Sequence, residues 1–175
     1  GPQALDSAMY GDCRRDFLAE MFGVTLYVPA QTLYRSVHFV LSGDMESSSR
    51  IGINPSCNLR SPMVLSFKVP GNYSSVSSKL VLRSPDGVAV GMTRADSVYF
   101  YLKNTGQFTL LADIAAPEIK TSLSAKRIKN TRGFRSFSFR ISDKLSGIGT
   151  YSITVNNPWV PAEFDAKSDQ LTYYF

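Results

Sequence analysis

Histidine is almost missing from this chain: of 175 residues, only His38 is one. It lies in the alternating run Ser36–Ser42, between Val37 and Phe39, where a histidine serves packing or the surface of a strand. A Ser–His–Asp triad, a zinc cluster and a His-x-x-x-Asp metal site each need partners that the sequence does not supply. A glycine-rich phosphate loop after a strand and a nucleophile elbow are also lacking. Among the carboxylates, Asp143 has no spacing that sets it at catalytic distance from Glu163 or Asp165. It reads instead as a turn residue whose side chain bonds backbone amides across Asp143–Gly147. The expectation is a chain that is not itself an enzyme and holds no cofactor.

Cysteine is scarce too. Cys13 and Cys57 are the two present, with no metal-ligand spacing, so a single disulfide and two free thiols are both open. No apolar run approaches the ~20 residues of a membrane-crossing helix, and no transmembrane segment is expected. The first nine residues lack the basic and apolar regions of a signal peptide. Gly1–Pro2 matches the scar of a protease-cleaved tag, so that lack leaves the compartment open. Charged residues make up only 19% against 43% hydrophobic, which excludes a disordered tail and leaves one large domain or two small ones with a real core.

The charge that is present is uneven. Residues 1–113 hold 10 Lys/Arg against 9 Asp/Glu, whereas residues 114–175 hold 9 against 5. Lys126, Arg127, Lys129, Arg132 and Arg135 are the heart of the second, basic stretch and form a candidate contact for an anionic polymer. Solvated strand edges that resist aggregation are the other reading. Neither an RNP-like motif nor a helix-turn-helix pattern accompanies these residues, so no nucleic-acid partner is expected.

The organising stretch is Gly106–Ile119. Phe108, Leu110 and Ala112 alternate as a closing strand, Pro117 stops ladder pairing for want of an N–H, and Ile119 opens a second unit. Before it, Val24–Val28, Ser36–Ser42, Met63–Val69, Lys79–Arg83, Val88–Met92, Ser97–Leu102 and Gln107–Ala112 read as short strands between turn signals. After it, Gly133–Ile141 puts Phe137, Phe139 and Ile141 on one face and Ser136, Ser138 and Arg140 on the other. Thr150–Val155 and Leu171–Phe175 follow. This is an all-β pattern of two sandwich modules in tandem, 24–114 and 115–175. The second is incomplete, with an apolar edge that invites homodimerisation by strand exchange. Residues 1–23 read as tag or linker, or as a short N-terminal helix over Asp12–Phe22. Asp12 would cap that helix, Phe17, Leu18, Met21 and Phe22 would share a face, and Gly23 would end it.

Aromatic residues admit two readings. Tyr99, Tyr101, Tyr151, Tyr173, Tyr174 and Trp159 could form a sugar-stacking platform, with Trp159 its leading contact. Core packing and cross-strand pairing are the alternative.

Two series of segments resemble a known family. One runs Val28-Pro-Ala-Gln-Thr-Leu-Tyr34, Leu59-Arg-Ser-Pro-Met-Val-Leu-Ser-Phe67, Gly106-Gln-Phe-Thr-Leu-Leu-Ala-Asp113 and Ala116-Pro-Glu-Ile119. The other runs Phe139-Arg-Ile-Ser-Asp-Lys-Leu-Ser-Gly-Ile148, Tyr151, Trp159-Val160, Phe164-Asp-Ala-Lys167 and Leu171-Thr-Tyr173. Together they resemble the region C-terminal to the catalytic domain in lysostaphin-type zinc endopeptidases of Gram-negative envelopes, which cleave peptidoglycan cross-links. The resemblance implies immunoglobulin-like modules and a periplasmic, outer-envelope or secreted location. It also implies an upstream peptidase domain that would hold the zinc, and contact with peptidoglycan or another wall polymer. The family's zinc ligands match nothing here. Asn156-Asn-Pro158 departs from the usual glycine-containing turn. The expected role is that of a non-catalytic accessory region that positions or regulates a wall metallopeptidase. A glycan-binding, adhesin-type module and a structural spacer or dimerisation unit are the rivals.

Overall fold

Alternation with period two governs most of the chain, and the computed structural model is accordingly mostly strand, with a single short 3₁₀ segment among the described residues. It describes residues 8–21, 23–44, 49–121 and 135–175. The chain divides into two units, Gly1–Ile114 and Ala115–Phe175.

The first unit is a nine-stranded antiparallel sheet. Its strands are β1 (Ala8–Gly11), β2 (Phe17–Met21), β3 (Val24–Val28), β4 (Val37–Asp44), β5 (Arg50–Lys68), β6 (Leu80–Ser84), β7 (Gly87–Val90), β8 (Met92–Arg94) and β9 (Ser97–Ala112). Two of these far exceed the usual 5–6 residues or so. β5 and β9 pair from Arg50↔Thr109 to Lys68↔Ser97, a continuous ribbon through the whole sheet. One stretch of the ribbon carries β4 and then β1 on one flank, and β6 and then β7 on the other. The other stretch carries β3 and then β2 on one flank, and β8 on the other.

Side chains from both arms enter the same core. Leu26, Leu65 and Phe100 come from one arm and Phe39, Ile53 and Leu110 from the other, all 0% exposed. Complete burial of one sheet face requires a second layer over it. Here that layer is the other arm of the same sheet, folded over. Each such side chain contributes about 1.5–3 kcal/mol by leaving water. The Phe67 and Phe100 rings add a stacked contact at 5.7 Å between centroids. A 3₁₀ segment, Gly71–Lys79, interrupted at Val76, crosses from β5 to β6. Tyr73 pins it down, its hydroxyl lying 3.3 Å from Ser49 Oγ and 3.4 Å from the Leu110 carbonyl.

The ribbon turns where its register shifts, between Ile53 and Asn58 and again between Asn58 and Met63. Thr105 sits opposite this corner and is 1% exposed. Its hydroxyl donates to the Pro55 carbonyl and accepts the Cys57 N–H at 2.7 Å. Ser56 Oγ donates to the Thr105 carbonyl at 3.2 Å. The Asn54–Pro55 bond is cis, and Gly106 follows at φ +143°, a conformation that a side chain would strain. Close approach fixes a second glycine. A Cβ on Gly91 would lie 2.7 Å from Val98 Cγ2 and 2.8 Å from the Leu80 carbonyl oxygen.

The helix expected over Asp12–Phe22 is not formed. Among the described residues of that stretch, Phe17–Met21 is β2, with Ala19 facing Leu26 in the core and Leu18 and Glu20 facing outward. Pairing with β3 satisfies the backbone that a helix would have satisfied internally, and tertiary context overrides the local pattern. Asp12 makes a short turn instead of a helix cap: its Oδ1 accepts the Arg14 N–H at 2.9 Å. Residues 8–21 thus add strands β1 and β2 to the first sheet.

The second unit has a four-stranded antiparallel sheet, ordered β10 (Glu118–Lys120), β11 (Ser136–Ser142), β15 (Gln170–Tyr174), β14 (Glu163–Asp165). A two-stranded sheet pairs β12 (Ile153–Thr154) with β13 (Trp159–Val160).

Thr105→Val keeps the shape of the corner side chain but strands the Cys57 N–H and the Pro55 carbonyl. Urea unfolding should show a loss of about 1–3 kcal/mol, and Thr105→Ser, which keeps the hydroxyl, should lose less.

Candidate binding surfaces

Register in the four-stranded sheet sorts its side chains into two faces. Ile119↔Ile141, Phe139↔Leu171↔Phe164 and Phe137↔Tyr173 share the apolar face. Lys120↔Arg140↔Gln170↔Asp165 and Ser138↔Thr172↔Glu163 share the polar one. Along the apolar face, between Ile119, Phe139, Ile141 and Leu171 and the segment 147–154, lies an open groove of about 450 Å³. Tyr151 leans over Phe164 there, with ring centroids 5.7 Å apart. On the polar face, Lys120, Ser138, Arg140, Ser168 and Gln170 surround a depression of about 430 Å³.

Two carboxylates build the turns that hold this sheet. Asp143 Oδ1 accepts the Leu145 N–H at 2.9 Å and the Gly147 N–H at 3.0 Å, which is the local role read from its turn sequence. Asp165 accepts the Lys167 N–H at 3.0 Å and the Ser168 hydroxyl at 2.8 Å. Those two donors hold its pKa below the ordinary carboxylate value. Glu118 is lowered likewise, by a hydrogen bond from Lys120 Nζ at 2.7 Å and by that ammonium's charge. Asp165 thus fixes the β14–β15 turn, whereas Glu118 is held in an exposed pair with Lys120.

Of the basic candidates, Lys126, Arg127, Lys129 and Arg132 lie outside the described residues. Arg135 is exposed just before β11, its carbonyl accepting the Phe175 N–H at 2.9 Å. Lys120 and Arg140 sit side by side on the polar face, yet each has an acidic neighbour, Glu118 for the first and Asp169 at 3.7 Å for the second. Trp159, on β13, is 66% exposed. Tyr151, Tyr173, Tyr174 and Trp159 belong to the second unit, and Tyr173 packs edge-on to Phe137 on the apolar face. His38 is exposed on β4 beside its register partner Tyr10, the rings 5.0 Å apart.

Tyr99 and Tyr101 belong to the first unit, on the outward side of β9, where pairing aligns residues that are far apart in sequence. One cross-strand row reads Leu18, Tyr27, Val64, Tyr101, and the next reads Glu20, Thr25, Ser66, Tyr99, Met92. Single-strand alternation gives no sign of these rows, because they exist only across strands. The i, i+2 pair Tyr99 and Tyr101 was the available signal. Asp16 braces one end, accepting the Tyr27 hydroxyl at 3.1 Å and the Ala30 N–H at 2.8 Å. This carboxylate raises the pKa of Tyr27.

Both cysteines are free thiols, half-buried. Cys13 Sγ lies 3.5 Å from the Ser36 hydroxyl and Cys57 Sγ 3.3 Å from that of Thr105. Among the described residues, no group of three or more His, Cys, Asp or Glu side chains is placed to hold a metal ion, and no helix is long and apolar enough to cross a membrane. In comparison with known proteins, no family model, no curated protein and no solved structure matches the chain significantly.

The depressed carboxylates set a pH dependence. Their stabilisation is complete above the unfolded-state pKa values near ~4 and is lost as the pH falls through the lower folded values. Thermal melting should therefore weaken below about pH 4. Asp165→Asn should melt below the native chain at neutral pH, with the gap closing toward about pH 2.

Proposed function

We propose that this chain is a non-catalytic, immunoglobulin-like β-sandwich region of a Gram-negative cell-wall metallopeptidase, which positions or regulates the peptidase or contacts peptidoglycan. Where the family-like segments fall supports this reading. Leu65, Phe67, Phe108 and Leu110 are buried in the core of the first unit. Asp143 and Asp165 tie turns in the second, and Leu171 with Phe164 lines its apolar face. Residues that carry a resemblance by holding strands together carry it for a module and not for a catalytic cleft. Zinc, on this reading, belongs to a separate upstream domain, and the chain works in the periplasm or at the outer envelope.

Wall contact would use the hydroxyl- and amide-rich polar face with Arg135, Lys120 and Arg140. Exposed ion pairs are each worth about 0–1 kcal/mol, and salt screens them over ~10 Å at 0.1 M. Binding of this kind is weak, multivalent and salt-sensitive.

Trp159 favours a second reading, a glycan-binding, adhesin-type module, because its indole, two thirds in water, offers the broad aromatic face on which a sugar ring can stack.

Co-sedimentation with purified peptidoglycan sacculi separates the two. The wall-contact reading expects binding at about 0.05 M salt that fades by about 0.3 M. It also expects Arg135→Glu to weaken binding by up to about fivefold, the worth of an exposed pair. Binding that survives salt, is competed by free sugars and vanishes in Trp159→Ala belongs to the glycan reading. No sedimentation with sacculi at low salt would end the wall-contact reading.

A further inference from the structure

We infer that the outward face of the arm β2–β3–β5–β9–β8 is a self-complementary interface for a second copy of this chain. The outward side of an antiparallel sheet that faces water is polar. Here one whole cross-strand row, Leu18, Tyr27, Val64 and Tyr101, is apolar, and Tyr99 and Met92 extend it at one end of the next row, which begins with Glu20, Thr25 and Ser66. Leu18, Tyr101 and Met92 are 62%, 52% and 53% exposed. Isolated exposed apolar residues are ordinary, but a contiguous group is the mark of an interaction surface.

Charge selects the occupant. Glu20, on β2, is the acidic edge of the face. Arg94, on β8, stands two residues beyond Met92 on the same side and is the basic edge. Lys103, two residues beyond Tyr101 on β9, is exposed on the same alternation. Lys68, also on this side, already holds Asp96 at 3.5 Å. Five strands at ~4.8 Å put the two edges roughly 19 Å apart. A two-fold axis lying in the interface, parallel to the strands and passing over Val64, reverses the strand order of the partner. It brings Glu20 of each copy onto the Met92–Arg94 edge of the other and lays Tyr27 over Tyr101. The charges then match twice and the apolar row Leu18–Tyr27–Val64–Tyr101 closes on its own copy, as an isologous contact requires.

Five strands by about five residues give roughly 400 Å² of face per copy. That is below the ~800 Å² per partner of a standard interface, so the dimer is weak and concentration-dependent. This surface differs from the edge of the second unit expected from the sequence, and it does not rest on the wall-contact reading.

Sedimentation velocity on the full chain at low salt, from about 10 μM to about 1 mM, is the test. The native chain should move from monomer toward dimer, and Tyr101→Lys should stay monomeric. Glu20→Lys and Arg94→Glu should each weaken the dimer about tenfold, while the two together should return it to within about threefold of native. All these side chains are exposed, and circular dichroism checks that each variant folds. A chain that is monomeric throughout, association that persists in Tyr101→Lys, or a double exchange no better than its parts would each overturn the inference.

Discussion

A buried hydroxyl at the corner of a bent ribbon is the contact on which the first unit depends. β5 and β9 could pair as a straight ladder, and a straight ladder would leave one apolar face of the sheet in water. The register shifts at Ile53–Asn58–Met63 interrupt that ladder and strip the Pro55 carbonyl and Cys57 N–H of strand partners. Thr105 supplies both from one oxygen. With the corner satisfied, Leu26, Leu65 and Phe100 of one arm can meet Phe39, Ile53 and Leu110 of the other in a dry core. An unsatisfied polar group there would cost as much as a core side chain gains.

The smaller unit relies on another device. Its strands are short, and turns are set by carboxylates bonding to the backbone two to four residues on, Asp143 in the turn after β11 and Asp165 in the β14–β15 hairpin. The polar and apolar faces then follow from pairing alone, because each register pair puts like with like. The same rule, applied to the first unit, yields one cross-strand row, Leu18 to Tyr101, where like with like means apolar with apolar on the side away from the core. Both surfaces of interest are thus consequences of register.

Legibility in the sequence tracked this distinction. Val24–Val28 and the alternation of Phe137, Phe139 and Ile141 were readable because each strand carries its own period-two signal. The first half of β5 was not. Gly52, Pro55 and a run of polar residues hide it, and it is a strand only because β4 and β9 flank it. Ser97–Leu102 and Gln107–Ala112 looked like separate strands because Thr105 and Gly106 interrupt the pattern where the ribbon turns. β2 read as a helix because Phe17, Leu18 and Met21 also suit a helical face, and only β3 decides between the two. Of the candidate site, Arg135 and Trp159 are exposed as a contact would need, four basic residues fall outside the described residues, and the row through Leu18, Tyr27, Val64 and Tyr101 needed the register of four strands to be seen.

Native-state hydrogen exchange across the first unit tests the central claim most directly. If the bent β5–β9 ribbon makes one body of both arms, the slowest amides of the Leu26–Leu65–Phe100 ladder and of the Leu41–Ile53 and Ile51–Phe108 ladders should open with a single common free energy. Two opening energies separated by more than about 1–2 kcal/mol, one for each arm, would contradict it.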